Sequence, residues 1–230
     1  MKIEWTKKSI LVIFSSPRRV LSSAPYSGGM RETDLIINLR TSARQTRKNS
    51  PQSIISEFLR ERGLSENTVG FLTAAQLEYS QFILRTQEDI KLLSIVTAGT
   101  SNALNIADRA PTLYSGESMP YPGTINIILV TNAELLEDCY VSAVVSATEA
   151  KSGALFDLQI KSVLSGRQAT GTGTDAVAVV SGRGRKIQYA GGHTQFGQLI
   201  GDAVYTGVTR ALSRRRMKPH KLEQIQNALD

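Results

Sequence analysis

Residues 125–152 read INIILVTNAELLEDCYVSAVVSATEAKS, and their two-part pattern decides the fold. Residues 125–130 form a short apolar run rich in β-branched side chains, which predicts a buried strand. Residues 134–152 follow a small polar turn and carry, at helical spacing, Val141, Val144, Val145 and Thr148. A buried strand that passes directly into a long helix indicates an α/β protein.

The same alternation extends along most of the chain. Apolar runs predict further strands at residues 10–14, 35–39, 69–72, 92–96 and 176–180. Helical periodicity predicts two more helices at residues 53–62 and 194–212, the second with one continuous apolar face. We therefore expect an α/β fold in which helices pack on a layered mixed β-sheet, as a single domain over residues 1–212 with a basic C-terminal tail at 213–230.

The composition is that of a folded protein. Hydrophobic residues make up 41% and charged residues 20% of the 230 residues, which excludes a disordered chain and a peptide module. The one cysteine, Cys139, excludes an intramolecular disulfide and a cysteine-rich zinc module, and it favours a reducing compartment. No run approaches the roughly 20 apolar residues of a membrane span, and the first residues lack a signal-peptide pattern. We expect a cytoplasmic protein.

The net charge of +7 is unevenly distributed. Residues 1–62 carry +7 and residues 210–230 carry +4, whereas residues 63–209 carry −4. A basic chain suggests a nucleic-acid partner, but aromatic residues make up only 6% and no nucleic-acid-binding motif is visible. No nucleic acid is therefore expected as a partner. A basic binding module stays open as an alternative, built from residues 18–19, 44–48 and 214–221.

The densest polar motif is Ala169-Thr-Gly-Thr-Gly-Thr-Asp175, which leads into the predicted strand at 176–180. Alternate glycines let the backbone approach a ligand, while threonine hydroxyls and one carboxylate supply donors and acceptors. The motif lacks the lysine and the following helix of a phosphate-binding loop. It is therefore a candidate for ligand binding or catalysis, with a plain tight turn as the alternative.

His193 and the charged residues Glu149 and Lys151 are further candidates. His193 follows two glycines at the start of a predicted helix, where the positive end of the helix dipole favours the neutral imidazole of a general base. The other histidine, His220, lies in the basic tail. Glu149 and Lys151 interrupt an uncharged helix and, being two residues apart, do not face the same way. No HExxH, GxSxG, CxxC or EF-hand motif occurs, which weakens the corresponding zinc-hydrolase, serine-hydrolase and calcium classes.

Six motifs in this order resemble one known family. They are Leu21-Ser-Ser-Ala24 with Gly28-Gly29, Thr97-Ala-Gly99 with Asn102-Ala103, Gly123-Thr-Ile-Asn126, Thr148-Glu-Ala-Lys151, Ala169-Thr-Gly-Thr-Gly-Thr-Asp175, and Gly192-His-Thr194 with Gly197 and Gly201. The set resembles the adenosylcobinamide amidohydrolases of corrinoid salvage over about residues 10–212. One position departs, because Gly192 stands where the family pattern Gly-Lys-His-Thr has lysine. A role of that lysine therefore does not carry over to this chain.

The resemblance implies hydrolysis of the amide between the corrin ring and the aminopropanol arm of adenosylcobinamide, giving adenosylcobyric acid and aminopropanol. A corrinoid is then the substrate and small-molecule partner. Amide hydrolysis needs a base, a donor for the amide oxygen and an acid for the leaving amine. The candidate residues are, for catalysis, His193, Asp175, Glu149 and Lys151, and, for substrate binding, Asn102, Asn126, Gly171, Thr172, Gly173 and Thr174.

Within this set we expect His193 to be the general base or acid, oriented by Asp175 as in an imidazole–carboxylate pair. Glu149 is the rival base. Lys151, or the backbone amides near Gly171 and Gly173, would stabilise the oxyanion. Asn102 and Asn126 are expected to hydrogen-bond the peripheral amides of the corrin.

Other readings stay open at this point. Thr172 or Thr174 is an alternative covalent nucleophile. A divalent metal is another alternative, held by Glu149, Asp175 and His193, a mixed oxygen and nitrogen set that suits zinc or manganese. No other cofactor and no firm metal ligand is assigned. A corrinoid-binding protein without catalysis, and a homo-oligomer, are also compatible with the sequence.

Overall fold

The computed structural model describes residues 1–109, 123–217 and 222–226 of the chain. Its strands, in chain order, are β1 (Lys2–Trp5), β2 (Ser9–Ser22), β3 (Gly29–Arg40), β4 (Thr68–Thr73), β5 (Gln81–Gln87), β6 (Ile90–Ala98), β7 (Ala103–Leu104), β8 (Ile125–Thr131), β9 (Glu134–Leu135), β10 (Gly171–Thr172), β11 (Ala176–Val180) and β12 (Lys186–Ile187). Its α-helices are α1 (Ala43–Lys48), α2 (Pro51–Arg62), α3 (Glu137–Asp157) and α4 (Gln195–Leu212). A 3₁₀ turn at Leu77–Tyr79 and a helical turn at 222–226 accompany them.

Eight of these strands form one mixed sheet in the order β4-β3-β2-β11-β8-β6-β5, with β1 added beside the first half of β2. The pairs β3–β4 and β8–β11 are parallel, and the other neighbours are antiparallel. Two short ladders, β7–β10 and β9–β12, lie outside this sheet. The predicted α/β fold around a mixed sheet is confirmed.

The long strand β2 bends the sheet into two layers. Its register against β3 shifts between Ile13 and Arg18, which is the mark of a β-bulge. The first half of β2, with β3 and β4, therefore crosses one face of β11, β8 and β6. Apolar side chains from both layers fill the space between them, among them Ile10, Ile36, Phe71, Ile95 and Ile128.

Helices cover the two outer faces. Helices α3 and α4 pack on β6, β8 and β11, and the contact buries Leu92, Ile127, Val179, Ala143 and Val204. Helix α2 packs on β3 through Ile55 and Leu59. The protein therefore has four layers: helix α2, two layers of strands, and helices α3 and α4. The site residues lie where the two strand layers and α3 meet.

The predicted elements largely form. All six predicted strands are present, within β2, β3, β4, β6, β8 and β11. Helices α2 and α4 match the predictions, and Thr194 caps α4 by accepting a hydrogen bond from the Gly197 amide at 2.9 Å. The helix predicted at 134–152 instead spans Glu137–Asp157. The first two residues of the predicted range, 134–135, form strand β9 instead, because they pair with β12.

Part of the predicted basic tail lies against the sheet. Leu222 is buried there beside Met217 and Ile225, and the Gln226 side-chain oxygen accepts a hydrogen bond from the Ile3 amide at 2.5 Å. His220 is outside the described residues. No helix within the described ranges is long and apolar enough to cross a bilayer.

Candidate active site

The candidate site lies at one end of the sheet, which we call the Asp175 end. Strands β8 and β11 begin there, and β6 ends there, because Asn126 pairs with Ala176 on one side and with Thr97 on the other. Strand β2 also ends there, since Ser22 pairs with Ala178. The short ladder β7–β10 lies beside this end and places residue 102 next to the motif at residues 169–175, which we call the Gly-Thr motif.

The Asp175 carboxylate is the centre of the polar contacts at this end. Its Oδ2 accepts hydrogen bonds from Lys151 Nζ at 2.6 Å and from the Thr172 amide at 3.0 Å. Its Oδ1 accepts from the Thr172 hydroxyl at 2.5 Å and from the Ile125 amide at 2.9 Å. Four donors therefore hold the carboxylate in one orientation at the entrance of β11.

Lys151 reaches this carboxylate from the buried face of α3. Its side chain is 10% exposed and that of Asp175 is 13% exposed, so water screens the ion pair only weakly. The other two N–H groups of Lys151 meet no acceptor within the described residues. A charged donor with free N–H groups is suited to bind an oxygen atom of a ligand.

Gly171 leaves the space over this ion pair open. An added Cβ at this position would lie 2.6 Å from Asp175 Oδ2 and 2.7 Å from Lys151 Nζ. Any side chain there would displace the two charged groups. The first glycine of the Gly-Thr motif is therefore required by the pair, and not by the backbone conformation of a turn.

The two threonines of the motif have different partners. Thr172 is 8% exposed, and its hydroxyl donates to Asp175, which is the arrangement of a nucleophile beside a base. The Thr174 hydroxyl donates to the Gly123 carbonyl at 2.9 Å, and the Thr174 carbonyl accepts from the Thr124 hydroxyl at 2.7 Å. Thr174 and Gly173 are exposed. Of the two threonines, only Thr172 contacts the carboxylate.

Asn102 is a buried amide without a hydrogen-bond partner. Its residue is 2% exposed, and neither Nδ2 nor Oδ1 has a partner in the described parts of the chain. An added Cβ on Gly123 would lie 2.1 Å from Asn102 Oδ1, so Gly123 makes room for this side chain. Buried amide groups are rarely left unpaired, and such a group next to a candidate site indicates ligand binding.

Asn126, predicted to bind substrate, is instead part of the protein's own hydrogen-bond network. Its Nδ2 donates to Asn38 Oδ1 at 3.1 Å and to the Leu72 carbonyl at 2.9 Å, and its Oδ1 accepts from the Thr124 hydroxyl at 3.1 Å. Asn38 continues the network to the Thr97 hydroxyl at 2.9 Å. Asn126 is 2% exposed and its polar atoms are occupied by the protein's own groups, so no free donor or acceptor of this side chain faces a ligand in the structure. It fixes Thr124 beside the Gly-Thr motif.

His193 does not meet Asp175. Helix α4 begins beside the β5–β6 turn, where Thr194 and Phe196 line a pocket with Gln87 and Ile90. The β5–β6 turn lies at the opposite end of the sheet, because Leu92 of β6 pairs with Thr131 of β8. The length of β8 and β11 therefore separates the two side chains, about 15 Å for five residues of strand. The predicted imidazole–carboxylate pair does not form.

Glu149 and the predicted metal set are also dispersed. Glu149 is exposed on the outer face of α3, away from the buried Lys151. Glu149, Asp175 and His193 thus occupy three separate places and do not converge as ligands. In the described ranges no three His, Cys, Asp or Glu side chains form a cluster suited to a metal. Cys139 is buried, and burial raises the pKa of its thiol to about 12, so it is no nucleophile at neutral pH.

Several site features were not predicted from the sequence. The Ile125 amide is the clearest, because backbone donors carry no signal in the residue type. Three large apolar side chains flank the β7–β10 ladder and are exposed, namely Ile106 at 84%, Val163 at 54% and Leu164 at 50%. The Val163 amide bonds to the Ala103 carbonyl and the Ile106 amide to the Thr170 hydroxyl. We call these three residues the apolar rim.

Comparisons with known proteins agree on one family. The family model described as adenosylcobinamide amidohydrolase (CbiZ) matches residues 1–219. The adenosylcobinamide amidohydrolase of Methanosarcina mazei is 34% identical over 203 residues, which cover 84% of this chain and 90% of that protein. An uncharacterized protein of Methanocaldococcus jannaschii is 30% identical over 224 residues, or 90% of this chain and 87% of that one.

Among solved structures, the PH0078 protein from Pyrococcus horikoshii OT3 aligns with 99% of this chain and 86% of that chain. The TM-score is 0.48 and the sequence identity is 13%, so this likeness supports no conclusion about function. The family match spans nearly the whole chain, including each motif around Lys151 and Asp175. The chain therefore belongs to the adenosylcobinamide amidohydrolase family, whose members are hydrolases that act on an amide.

Proposed function

We propose that this protein hydrolyses the amide between the corrin ring and the aminopropanol arm of adenosylcobinamide, giving adenosylcobyric acid and aminopropanol. Family membership supports the substrate class. The buried contact among Lys151, Asp175 and Thr172 carries the proposal for the reaction, because it combines a charged donor, a carboxylate and a hydroxyl within 2.6 Å contacts.

In this proposal the Lys151 ammonium binds the amide oxygen. The oxygen gains negative charge in the tetrahedral intermediate, and a cation already fixed by Asp175 stabilises that charge without reorganising. The small residue Gly171 lets the scissile amide approach Nζ. Water screens this charge little because both partners of the ion pair are nearly buried.

The Thr172 hydroxyl is the proposed nucleophile. Its oxygen attacks the amide carbon while Asp175 accepts the hydroxyl proton across the 2.5 Å hydrogen bond. The proton passes from Asp175 to the leaving nitrogen, the C–N bond breaks, and aminopropanol leaves as a neutral amine. Water then cleaves the ester on Thr172, with Asp175 again the proton acceptor, and restores the hydroxyl.

Asn102 and the apolar rim support the binding of a corrinoid. A corrin carries peripheral amides, and the unpaired donor and acceptor of Asn102 match such a group. The exposed side chains of Ile106, Val163 and Leu164 offer an apolar surface beside the site to the broad face of the ring. The site also lacks a surplus of basic groups, which suits a ligand whose cobalt centre is positive.

The departure at Gly192 leaves this proposal intact. Gly192 is exposed beside His193, and an added Cβ would meet no atom within 4 Å. The cation that the proposed chemistry requires is Lys151, at the other end of the sheet. A corrinoid-binding protein without catalysis is thus the less supported alternative.

The test is the release of aminopropanol from adenosylcobinamide, followed by mass spectrometry together with adenosylcobyric acid. We expect the wild type to form both products, and Thr172→Val to form them at least roughly a thousandfold more slowly. Asp175→Asn is expected to be equally impaired. The control Asp202→Asn removes an exposed carboxylate that pairs with Arg85 and is expected to keep full rate.

Intact-mass measurement of the wild type after rapid mixing is expected to show a corrinoid ester on the chain, absent in Thr172→Val. A folded Thr172→Val variant with wild-type activity would exclude the threonine and leave water, activated by Asp175, as the nucleophile. A wild type that binds adenosylcobinamide and releases no aminopropanol would contradict the proposed reaction.

A further inference from the structure

A second cavity lies at the end of the sheet opposite Asp175. It encloses about 270 Å³ and is lined by the carboxyl ends of β8 and β11, with Val130 and Thr131 from one strand and Val180 and Ser181 from the other. These strands are the parallel pair at the centre of the sheet. In sheets with parallel strands, ligands bind outside the carboxyl ends.

Two arginines give this cavity its charge. Arg18 comes from the bulged part of β2, and Arg183 comes from the loop after β11. Arg183 Nη2 donates to the Pro17 carbonyl at 3.4 Å, which brings it to the same bulge. The guanidinium of the half-buried Arg18 has neither a hydrogen-bond nor an ion-pair partner among the residues that the structure describes. Burial and the charge of Arg183 both lower the pKa of Arg18.

Four carboxylates near this end are already paired with other cations. Arg185 pairs with Glu88 and Asp89 at 3.1 Å each, Lys186 with Glu134 at 3.8 Å, and Arg19 with Glu137 at 2.7 Å. The described lining of the cavity contains no aspartate or glutamate. Two like charges thus meet in a partly desolvated cavity to which the described residues bring no counterion, an arrangement that is costly unless a ligand supplies the negative charge.

We propose that this cavity binds a phosphate group through Arg18 and Arg183. The planar guanidinium presents paired N–H donors that match phosphate oxygens, and two of them provide charge and geometry for one dianion. The backbone that presents Arg183 is tightly packed, since an added Cβ on Gly182 would lie 2.0 Å from the Asn132 carbonyl oxygen. The volume exceeds that of a phosphate ion, so the phosphate is either free or part of a small monoester.

The test is isothermal titration of the full chain with inorganic phosphate and, separately, with glycerol 3-phosphate at constant ionic strength. We expect binding of phosphate by the wild type that weakens roughly tenfold or more in Arg18→Met and in Arg183→Met. The matched control Arg185→Met, two residues from Arg183 and outside the cavity lining, is expected to bind as the wild type does. Tighter binding of the ester than of phosphate would assign the remaining volume to its organic part.

Thermal unfolding supplies a second readout. In phosphate-free buffer, Arg18→Met is expected to unfold at a temperature equal to or above that of the wild type, because a half-buried charge next to a like charge is removed. Added phosphate is expected to raise the unfolding temperature of the wild type and not that of Arg18→Met. The proposal is overturned if neither probe binds, if Arg185→Met loses binding as Arg18→Met does, or if Arg18→Met unfolds at a lower temperature in the absence of phosphate.

Discussion

The two ends of the central sheet differ in how well their charged side chains are shielded from water. At the Asp175 end, one carboxylate collects four donors, and its lysine partner is 10% exposed. At the other end, His193 is exposed and the ion pairs of Arg185 are more than half exposed. Charges fixed by the protein and shielded from water stabilise a transition state far more than exposed ones. Of the two ends, as far as the described residues form them, the Asp175 end is therefore the one we propose for amide hydrolysis.

The largest effect is expected from separating Lys151 and Asp175. Lys151→Met leaves a carboxylate buried without its cation, and we expect a loss of roughly 3 kcal/mol or more in the free energy of unfolding. Asp175→Leu is expected to cost a similar amount. The double variant is expected to lose less than the sum of the two, because neither charge is then left alone. Denaturant unfolding of the four proteins measures this coupling, and additive losses would show that the pair is not a unit.

A smaller effect is expected from filling the space at Gly171. Gly171→Ala places a methyl group on the ion pair, so we expect kcat/KM for adenosylcobinamide to fall on the order of a hundredfold. Gly153→Ala is the control, because this exposed glycine of α3 has no atom within 4 Å of an added Cβ. That control is expected to keep its activity and gain up to about 1 kcal/mol of stability from helix propensity. If Gly171→Ala and Gly153→Ala were equally active, the open space over the ion pair would not be needed for catalysis.

Substitutions of the buried residues Asn126 and Asn102 are expected to separate stability from substrate binding. Asn126→Ala removes the donor to Asn38 Oδ1 and to the Leu72 carbonyl, which we expect to cost about 1–3 kcal/mol in the free energy of unfolding. Asn102→Ala removes an amide that has no partner in the described residues, so its stability is expected to change little while KM rises. Unfolding curves and steady-state kinetics of both variants test this. If Asn102→Ala lost stability and Asn126→Ala raised KM instead, Asn102 would be the structural residue and Asn126 the substrate contact.

No effect on activity is expected from the thiol. Burial raises the Cys139 pKa to about 12, so the native protein is expected to resist iodoacetamide at pH 8 and to react once unfolded in urea. Since the thiol loses its proton only near pH 12, its alkylation in the native state is expected to be slow near neutrality and to rise as the pH approaches that value. Rapid native alkylation with loss of aminopropanol release would place a thiol in the reaction.

The sequence predicted the strands and the two amphipathic helices, because periodicity and local residue types carry that information. It did not predict the partner of Asp175. The sequence alone allows either His193 or Lys151 to lie beside Asp175. The direction of α4 and the register of β6 against β8 place His193 at the opposite end of the sheet. The burial of Asn126 likewise depends on the bend in β2 that brings β3 and β4 across β8.

We propose that amide hydrolysis occurs at Lys151 and Asp175 and not at His193. Aminopropanol release measured in parallel for Lys151→Met and His193→Ala, with Lys161→Met as a matched exposed lysine, tests it most directly. We expect Lys151→Met to lose roughly a thousandfold in rate, while His193→Ala and Lys161→Met stay within about twofold of the wild type. A folded His193→Ala variant without activity, together with an active Lys151→Met variant, would show that the reaction depends on His193 and not on Lys151.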